Sequence, residues 1–153
     1  MEGRSMQIAV VGKGECSGEE GRAAEQAGAL IAESHAVLCC GGLGGVMEAA
    51  CRGARAKGGT TVGILPGTGG GNPFLDIVIR TGLGHARNMV LVQSADAVVA
   101  IGGGYGTLSE IALALKAGKE VFGYRTWEIE GVAACATPAE AVSRAVAAAG
   151  RSD

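Results

Sequence analysis

Short apolar runs alternate along the chain with stretches in which apolar residues recur every three or four positions. The runs are rich in β-branched residues and apolar on both faces, which is typical of buried parallel strands. We therefore place strands at residues 7–11, 36–40, 60–65, 76–79, 97–101 and 121–124, with a further short strand at 132–134.

The stretches between these runs have the periodicity of amphipathic helices. Leu108, Ile111, Ala112 and Leu115, for example, follow the spacing i, i+3, i+4, i+7. Strands that alternate with helices favour an α/β fold, a doubly wound parallel sheet of about six or seven strands with helices on both faces. Because no shift in composition marks a second unit, we expect residues 1–153 to form one domain, in which residues 1–5 are loose.

Several helix ends carry recognisable signals. Pro138 is expected to be the first residue of the last helix, and Gly118 is expected to end the helix that contains Leu108. Three helix starts have the spacing of a capping box, in which a hydroxyl and a carboxylate three residues apart satisfy free backbone N–H groups. These pairs are Ser17 with Glu20, Thr107 with Glu110, and Thr137 with Glu140.

Composition and charge exclude several classes of protein. Hydrophobic residues make up 48% of the chain and the net charge is only −2, which excludes a disordered polymer. There are 13 basic and 15 acidic residues and no basic block, so we expect no nucleic-acid polymer as a partner.

The cysteines and the apolar runs bear on location. The five cysteines, two of them the adjacent Cys39 and Cys40, are interpreted as reduced, buried thiols of a cytoplasmic protein. With no CxxC or HExxH motif and only two histidines, we expect no metal site. No apolar run reaches about 18 residues, so no membrane span is expected.

Glycines concentrate where predicted strands end and helices begin. They cluster within residues 12–14, 41–45 and 102–107, which would all lie at the carboxyl edge of a parallel sheet. Free backbone N–H groups and the positive end of a helix favour a phosphate there. The chain has no P-loop motif and no complete GxGxxG, so purely structural glycines remain the alternative. A further glycine-rich stretch, residues 67–73, is either a lid or a long connection.

Two charged residues have both a structural and a functional interpretation. Glu110 either completes the capping box with Thr107 or faces a sugar, where it would bind hydroxyls, orient water or stabilise a cationic transition state. Arg87 is either a surface arginine, a bidentate clamp on a phosphate, or a partner of Glu110.

Five other residues lie near the same predicted edge or are chemically distinctive. Lys13 and Asn88 are candidate polar contacts to a ligand. His85 either caps or packs, or touches the ligand, and Tyr105 either stacks on a base or occupies a turn. Trp127 is interpreted as a packing or interface residue.

Three segments resemble the motifs of the Lonely Guy (LOG) family. Residues 102–110, GGGYGTLSE, resemble that family's PGGxGTxxE motif, and residues 85–89, HARNM, resemble its upstream HxRK segment. Residues 41–47, GGLGGVM, resemble its GGGxxGLM turn. The resemblance covers residues from about 6 to 149.

The resemblance implies a Rossmann-like fold, assembly as a homodimer or higher homo-oligomer, and a nucleotide-binding function. LOG enzymes hydrolyse the N-glycosidic bond of nucleoside 5′-monophosphates and release ribose 5-phosphate, without a cofactor. The catalytic arginine and glutamate map to Arg87 and Glu110. Ligand-binding positions are predicted at Gly12, Lys13, Gly42, Gly44, Gly45, Asn88, Gly103, Gly104, Tyr105, Gly106 and Thr107.

This chain also departs from the LOG pattern. Gly102 replaces the motif's proline, Asn88 replaces its lysine, and the chain is short for the family. Its sequence is similar to that of a sister branch, the molybdenum cofactor carrier proteins, which bind a phosphorylated pterin without turning it over. A phosphoribohydrolase and a carrier with molybdenum cofactor as cargo are therefore the two hypotheses. Some relatives bear the label lysine decarboxylase, but no lysine here has a recognisable pyridoxal-phosphate context.

Overall fold

A computed structural model describes residues 3–151 as alternating strands and helices. Residues 1–5 are expected to be loose, and of these residues 1–2 lie outside the described residues. Arg4 forms a bidentate ion pair with Asp96, with N–O distances of 2.7 and 2.8 Å. The elements are β1 (Gln7–Gly12), α1 (Gly18–Glu33), β2 (Val37–Cys40), α2 (Val46–Ala56), β3 (Thr61–Leu65), β4 (Ile77–Arg80), a 3-10 turn (Gly84–Ala86), α3 (Arg87–Ser94), β5 (Ala97–Ile101), α4 (Tyr105–Lys116), β6 (Val121–Tyr124), β7 (Val132–Cys135) and α5 (Pro138–Arg151).

The strands form one seven-stranded sheet in the order β4-β3-β2-β1-β5-β6-β7. Every pairing in it is parallel. The predicted α/β, Rossmann-like doubly wound fold is confirmed, including the seventh strand. The order reverses between β1 and β5, and a sheet of this kind opens a crevice at the carboxyl ends of those two strands.

Helices cover both faces because successive strand residues point to opposite sides of the sheet. On one face, α1, α2 and α5 enclose a core that includes Ile8, Val10 and Val99. On the other, α3 and α4 pack against residues that include Ala9, Val11 and Val98. All six of these residues are buried, so the central strands are apolar on both faces, as the sequence predicts.

The edge strand β4 differs from the prediction of buried strands. Ile77 and Ile79 are 48% and 44% exposed. Because they are two positions apart in the strand, their side chains lie on the same face of the sheet. No local sequence signal separates an edge strand from a central one, because position in the sheet is a property of the whole fold.

Helices α1 and α2 pack closely because glycines face backbone across their interface. A Cβ atom on Gly28 would overlap the carbonyl group of Ala50, and one on Gly53 would overlap the carbonyl group of Glu25. Any larger side chain at either position would force the two helix backbones apart.

Two of the three predicted helix starts are confirmed. The Ser17 hydroxyl accepts from the Glu20 N–H at 3.1 Å, and the Glu20 carboxylate accepts from the Ser17 N–H at 2.9 Å. At α5, Pro138 is the first helical residue and the Thr137 hydroxyl accepts from the Glu140 N–H. The Glu140 carboxylate there reaches one residue further back, to the N–H of Ala136.

The third predicted capping box, between Thr107 and Glu110, is wrong. Helix α4 begins at Tyr105 with Gly104 as its N-cap, so Thr107 already lies inside the first turn. The positive φ of Gly102 and Gly103 turns the chain early enough for this start. The Glu110 carboxylate therefore does not cap α4. At the other end of α4, Gly118 has a φ of +78° just after the last helical turn, as predicted.

Candidate functional site

A cleft of about 280 Å³ lies at the carboxyl ends of β1 and β5, where the strand order reverses. Its volume is just below the range of about 300 to 1,000 Å³ that is usual for small-molecule sites. The residues that line it come from both glycine turns beside those strands, from the 41–45 turn and α2, and from the starts of α3 and α4. They are Gly12, Lys13, Gly14, Leu43, Met47, His85, Arg87, Asn88, Gly104, Gly106, Thr107 and Glu110.

The turn at residues 102–106, which we call the β5–α4 turn, presents the start of α4 to this cleft. Gly104 caps the helix in an extended conformation, and its carbonyl accepts the first helical hydrogen bond, from Leu108. The N–H groups of the first helical turn therefore have no partner within the helix, and the helix dipole adds positive potential. This is the arrangement that binds phosphate groups.

The glycines of the 41–45 turn support the cleft from behind. Gly42 has a φ of +80° and faces Leu65, and a Cβ atom on Gly44 would lie 3.2 Å from the carbonyl oxygen of Gly14. Gly45, with a φ of +62°, contacts the backbone of residues 13–14. Gly42, Gly44 and Gly45 do not line the cleft. Gly44 and Gly45 instead pack against the turn at residues 12–14, which does line it.

Arg87 lies at the start of α3 with a guanidinium tied to the protein backbone. Its Nη1 donates to the carbonyl oxygens of Gly41 at 2.5 Å and Ile64 at 2.9 Å. A Cβ atom on Gly41 would displace this guanidinium from its two carbonyl partners. Arg87 thus joins the ends of β2 and β3 to the cleft, with its Nη1 engaged by the backbone and its Nε unpaired.

Glu110 is a buried carboxyl on the wall of the cleft, 7% exposed. Burial raises its pKa from the usual 4.5 to about 7, against the opposing effect of the Arg87 positive charge. Near neutral pH the group is therefore divided between its acid and carboxylate forms. As an acid it can donate a hydrogen bond to a ligand, and it then no longer repels a phosphate in the same cleft.

Three buried polar atoms in the cleft wall have no hydrogen-bond partner. They are Arg87 Nε, Asn88 Oδ1 and Thr107 Oγ1. Asn88 and Thr107 are 6% and 2% exposed, so bulk water does not replace the missing partners. Asn88 uses only its amide nitrogen, which donates to Ser109 Oγ at 3.3 Å. Because unpaired buried polar atoms are costly, their concentration at one cleft indicates a ligand site.

Comparison with known proteins places the whole described fold in one family. The model of the SLOG cluster4 family matches residues 5–150. The chain belongs to the SLOG cluster4 family. The predicted membership of the LOG and molybdenum cofactor carrier-like group is thereby confirmed.

This SLOG cluster4 chain is similar to one protein by sequence and to two proteins of known structure. An uncharacterized protein of Archaeoglobus fulgidus is 54% identical over 140 residues, which is 90% of this chain and 93% of that protein. The molybdenum cofactor binding protein of the phototrophic bacterium Rippkaea orientalis is 38% identical, with a TM-score of 0.88 over 92% of this chain and 95% of that one. The molybdenum cofactor carrier protein of Chlamydomonas reinhardtii is 35% identical, with a TM-score of 0.89 over 95% and 98%.

The SLOG cluster4 structure brings most of the predicted site residues together. The predicted residues that line the cleft are Gly12, Lys13, Arg87, Asn88, Gly104, Gly106, Thr107 and Glu110. Tyr105 is 84% exposed outside the cleft and stacks on Trp127, with ring centroids 6.2 Å apart. Gly103, a member of the β5–α4 turn, faces Trp127 and does not line the cleft. The roles assigned to all these residues stay predictions.

Four further residues line the cleft. For one of them, His85, the sequence leaves contact with a ligand open, and the other three, Gly14, Leu43 and Met47, are absent from the predicted site. The glycine-rich motifs do include them, but the motifs do not say which members face the ligand. Leu43 and Met47 add apolar surface to a lining that also carries charged and polar side chains. A planar ring with a phosphate substituent would match such a mixed lining.

Other features of the described residues bear on metals, membranes and the 67–73 loop. Among residues 3–151, no group of three or more His, Cys, Asp or Glu is placed to hold a metal ion, and no helix is long and apolar enough to span a bilayer. Asn72 anchors one end of the loop, since its backbone N–H donates to the Gly42 carbonyl and its side-chain amide to that of Leu43. A lid and a long connection stay the two predictions for this loop.

Glu110 predicts a pH dependence of stability. Its proton is held more tightly in the folded than in the unfolded protein, so its effect on stability is most favourable below about pH 4.5 and becomes unfavourable as pH rises to about 7. Glu110→Gln removes the ionisation. We expect this variant to gain about 3 kcal/mol over wild type between pH 4.5 and pH 8, measured by urea unfolding across that range.

A surface carboxylate provides the control for this experiment. Glu130→Gln replaces an exposed carboxylate in the connection between β6 and β7 and should stay within about 0.5 kcal/mol of wild type across the same range. If Glu110→Gln behaved like Glu130→Gln, the pKa of Glu110 would not be raised in the folded protein.

Proposed function

We propose that this protein binds molybdenum cofactor, a phosphorylated pterin, in the cleft between the ends of β1 and β5 and carries it without turning it over. The observation that carries this proposal is the set of unpaired buried polar atoms on Arg87, Asn88 and Thr107, beside the free N–H groups at the start of α4. These groups match a phosphate and the polar edge of a heterocycle.

The comparisons favour the carrier hypothesis over the hydrolase that stands first among the sequence hypotheses. Two proteins that match this chain over more than nine-tenths of both lengths are a molybdenum cofactor binding protein and a molybdenum cofactor carrier. The state of Glu110 agrees with binding, because a carboxyl with a pKa of about 7 is compatible with a neighbouring phosphate.

A nucleoside 5′-monophosphate phosphoribohydrolase remains the second candidate because Arg87 and Glu110 do lie on one wall of the same cleft. In that mechanism, ionised Glu110 would stabilise the positive charge that develops on the ribose ring and orient the attacking water. The cytoplasmic location and the homodimer that the resemblance implies are further predictions.

Isothermal titration calorimetry with a matched pair of ligands tests the carrier function. A pterin that bears a phosphomonoester should bind more tightly than the same pterin without phosphate. Thr107→Val removes the unpaired hydroxyl and keeps the side-chain shape, so we expect about a tenfold loss of affinity for the phosphorylated pterin. Thr60→Val, on an exposed threonine before β3, should bind as wild type does.

The same proteins distinguish the two candidate functions. After incubation with AMP or with the phosphorylated pterin, chromatography should recover each compound intact. Release of adenine and ribose 5-phosphate from AMP that disappears in Glu110→Gln would establish the hydrolase and contradict the carrier proposal.

A further inference from the structure

The connection between β6 and β7 folds back over the β5–α4 turn. Trp127, the only tryptophan of the chain, lies in this connection. Its indole Nε1 donates a hydrogen bond of 3.1 Å to the carbonyl oxygen of Gly104, a residue 23 positions earlier. That carbonyl also accepts the N–H of Leu108 at 3.0 Å, so both of its lone pairs are used.

This bond acts on the peptide group that joins Gly104 to Tyr105. In a planar trans peptide, the carbonyl and the following N–H point in opposite directions. Trp127 and the Leu108 N–H together hold the Gly104 carbonyl and so set the direction of the Tyr105 N–H, which is the first free donor of α4. The indole therefore acts on a group that a bound phosphate would use, although Trp127 is not among the residues that line the cleft.

The indole also packs against the outer side of the turn. A Cβ atom on Gly103 would lie 3.0 Å from both Cδ1 and Nε1 of Trp127. On Gly104 the corresponding atom would lie 3.3 Å from Cε of Lys13, a cleft residue. Trp127 and Lys13 thus contact adjacent glycines of one turn.

Tyr105 contributes to the same arrangement. Its ring stacks on Trp127 with an angle of 28° between the ring planes. Since Tyr105 is the first residue of α4, this stacking joins the helix start to the β6–β7 connection. The contact accounts for a highly exposed tyrosine beside, and not inside, the cleft.

We propose that Trp127 is a positioning residue that holds the β5–α4 turn in the conformation that binds phosphate. The proposal rests on the phosphate-binding function proposed above. It assigns to Trp127 a selective role, because the indole supports recognition of the phosphate and not of the heterocycle.

The test compares the affinity for the phosphorylated pterin with that for the same pterin without phosphate. Trp127→Phe keeps an aromatic ring and removes the N–H donor. We expect the preference for the phosphorylated ligand to fall about three- to tenfold, with the affinity for the other ligand unchanged. Tyr124→Phe, which removes a polar group from the neighbouring strand β6, is the matched control and should keep the wild-type preference. Thermal melting by circular dichroism establishes that each variant is folded at the temperature of the titration.

A wild-type phosphate preference in Trp127→Phe, or an equal loss of affinity for both ligands, would overturn the positioning role. A wild-type protein that shows no preference for the phosphorylated pterin would instead contradict the proposed function itself.

Discussion

Replacement of Gly28 by alanine is expected to lower the free energy of unfolding by about 3 kcal/mol. The added methyl group would overlap the backbone carbonyl of Ala50, which lies inside α2 and cannot rotate away as a side chain would. Helices α1 and α2 would then have to separate, which would loosen the core to which they contribute Ile31 and Cys51. Equilibrium denaturation in urea, followed by circular dichroism, measures the effect.

Gly21 provides a control in the same helix. A Cβ atom there would lie 3.6 Å from the Sγ atom of Cys16, an ordinary contact. Because alanine favours helix more than glycine does, Gly21→Ala should raise stability by about 0.5 to 1 kcal/mol. The same substitution would thus have opposite signs at two positions of α1. A small effect at Gly28 would show that α1 and α2 can separate at low cost.

Replacement of Arg87 by methionine is expected to lower both stability and ligand affinity. The buried carbonyl oxygens of Gly41 and Ile64 would lose the donor that Arg87 provides, at a cost of about 3 kcal/mol. Glu110 would lose the positive charge that lowers its pKa, so that pKa would rise above about 7. Calorimetry with the phosphorylated pterin should show a loss of affinity of more than tenfold.

Arg80 provides the matched control, since it is exposed at the end of the edge strand β4. Arg80→Met should leave stability within about 0.5 kcal/mol of wild type and the affinity unchanged. If Arg87→Met bound the ligand as well as Arg80→Met does, the hydrogen bonds of Arg87 to Gly41 and Ile64 would be irrelevant to the site.

The candidate site shows how far local sequence reasoning reaches. The sequence predicts that the two glycine turns, at residues 12–14 and 102–107, follow strands, and these strands are adjacent in the sheet. Spacing alone is compatible with a capping box at Glu110, so the sequence does not decide between its two interpretations. The structure excludes the box, since three consecutive glycines let α4 begin at Tyr105. Backbone conformation at a run of glycines is not encoded in side-chain spacing.

Trp127 illustrates the opposite limit. It lies 23 residues from Gly104 along the chain, in a connection without a motif, and only the pairing of β6 beside β5 brings the two together. Likewise, the Arg87 side chain donates hydrogen bonds to backbone carbonyls that lie 46 and 23 residues before it in the chain. No window of sequence contains such contacts.

The sequence by itself determined the alternation of strands and helices, the parallel doubly wound class and the edge of the sheet that carries the glycine turns. These features depend on hydrophobic periodicity and on the backbone freedom of glycine, which are local properties. Only the tertiary structure decided that Glu110 is buried beside Arg87, that β4 is an edge strand, and that Trp127 contacts the β5–α4 turn. Burial, desolvation and long-range hydrogen bonds arise from residues that are distant in the chain, so they exist only once the sheet has assembled.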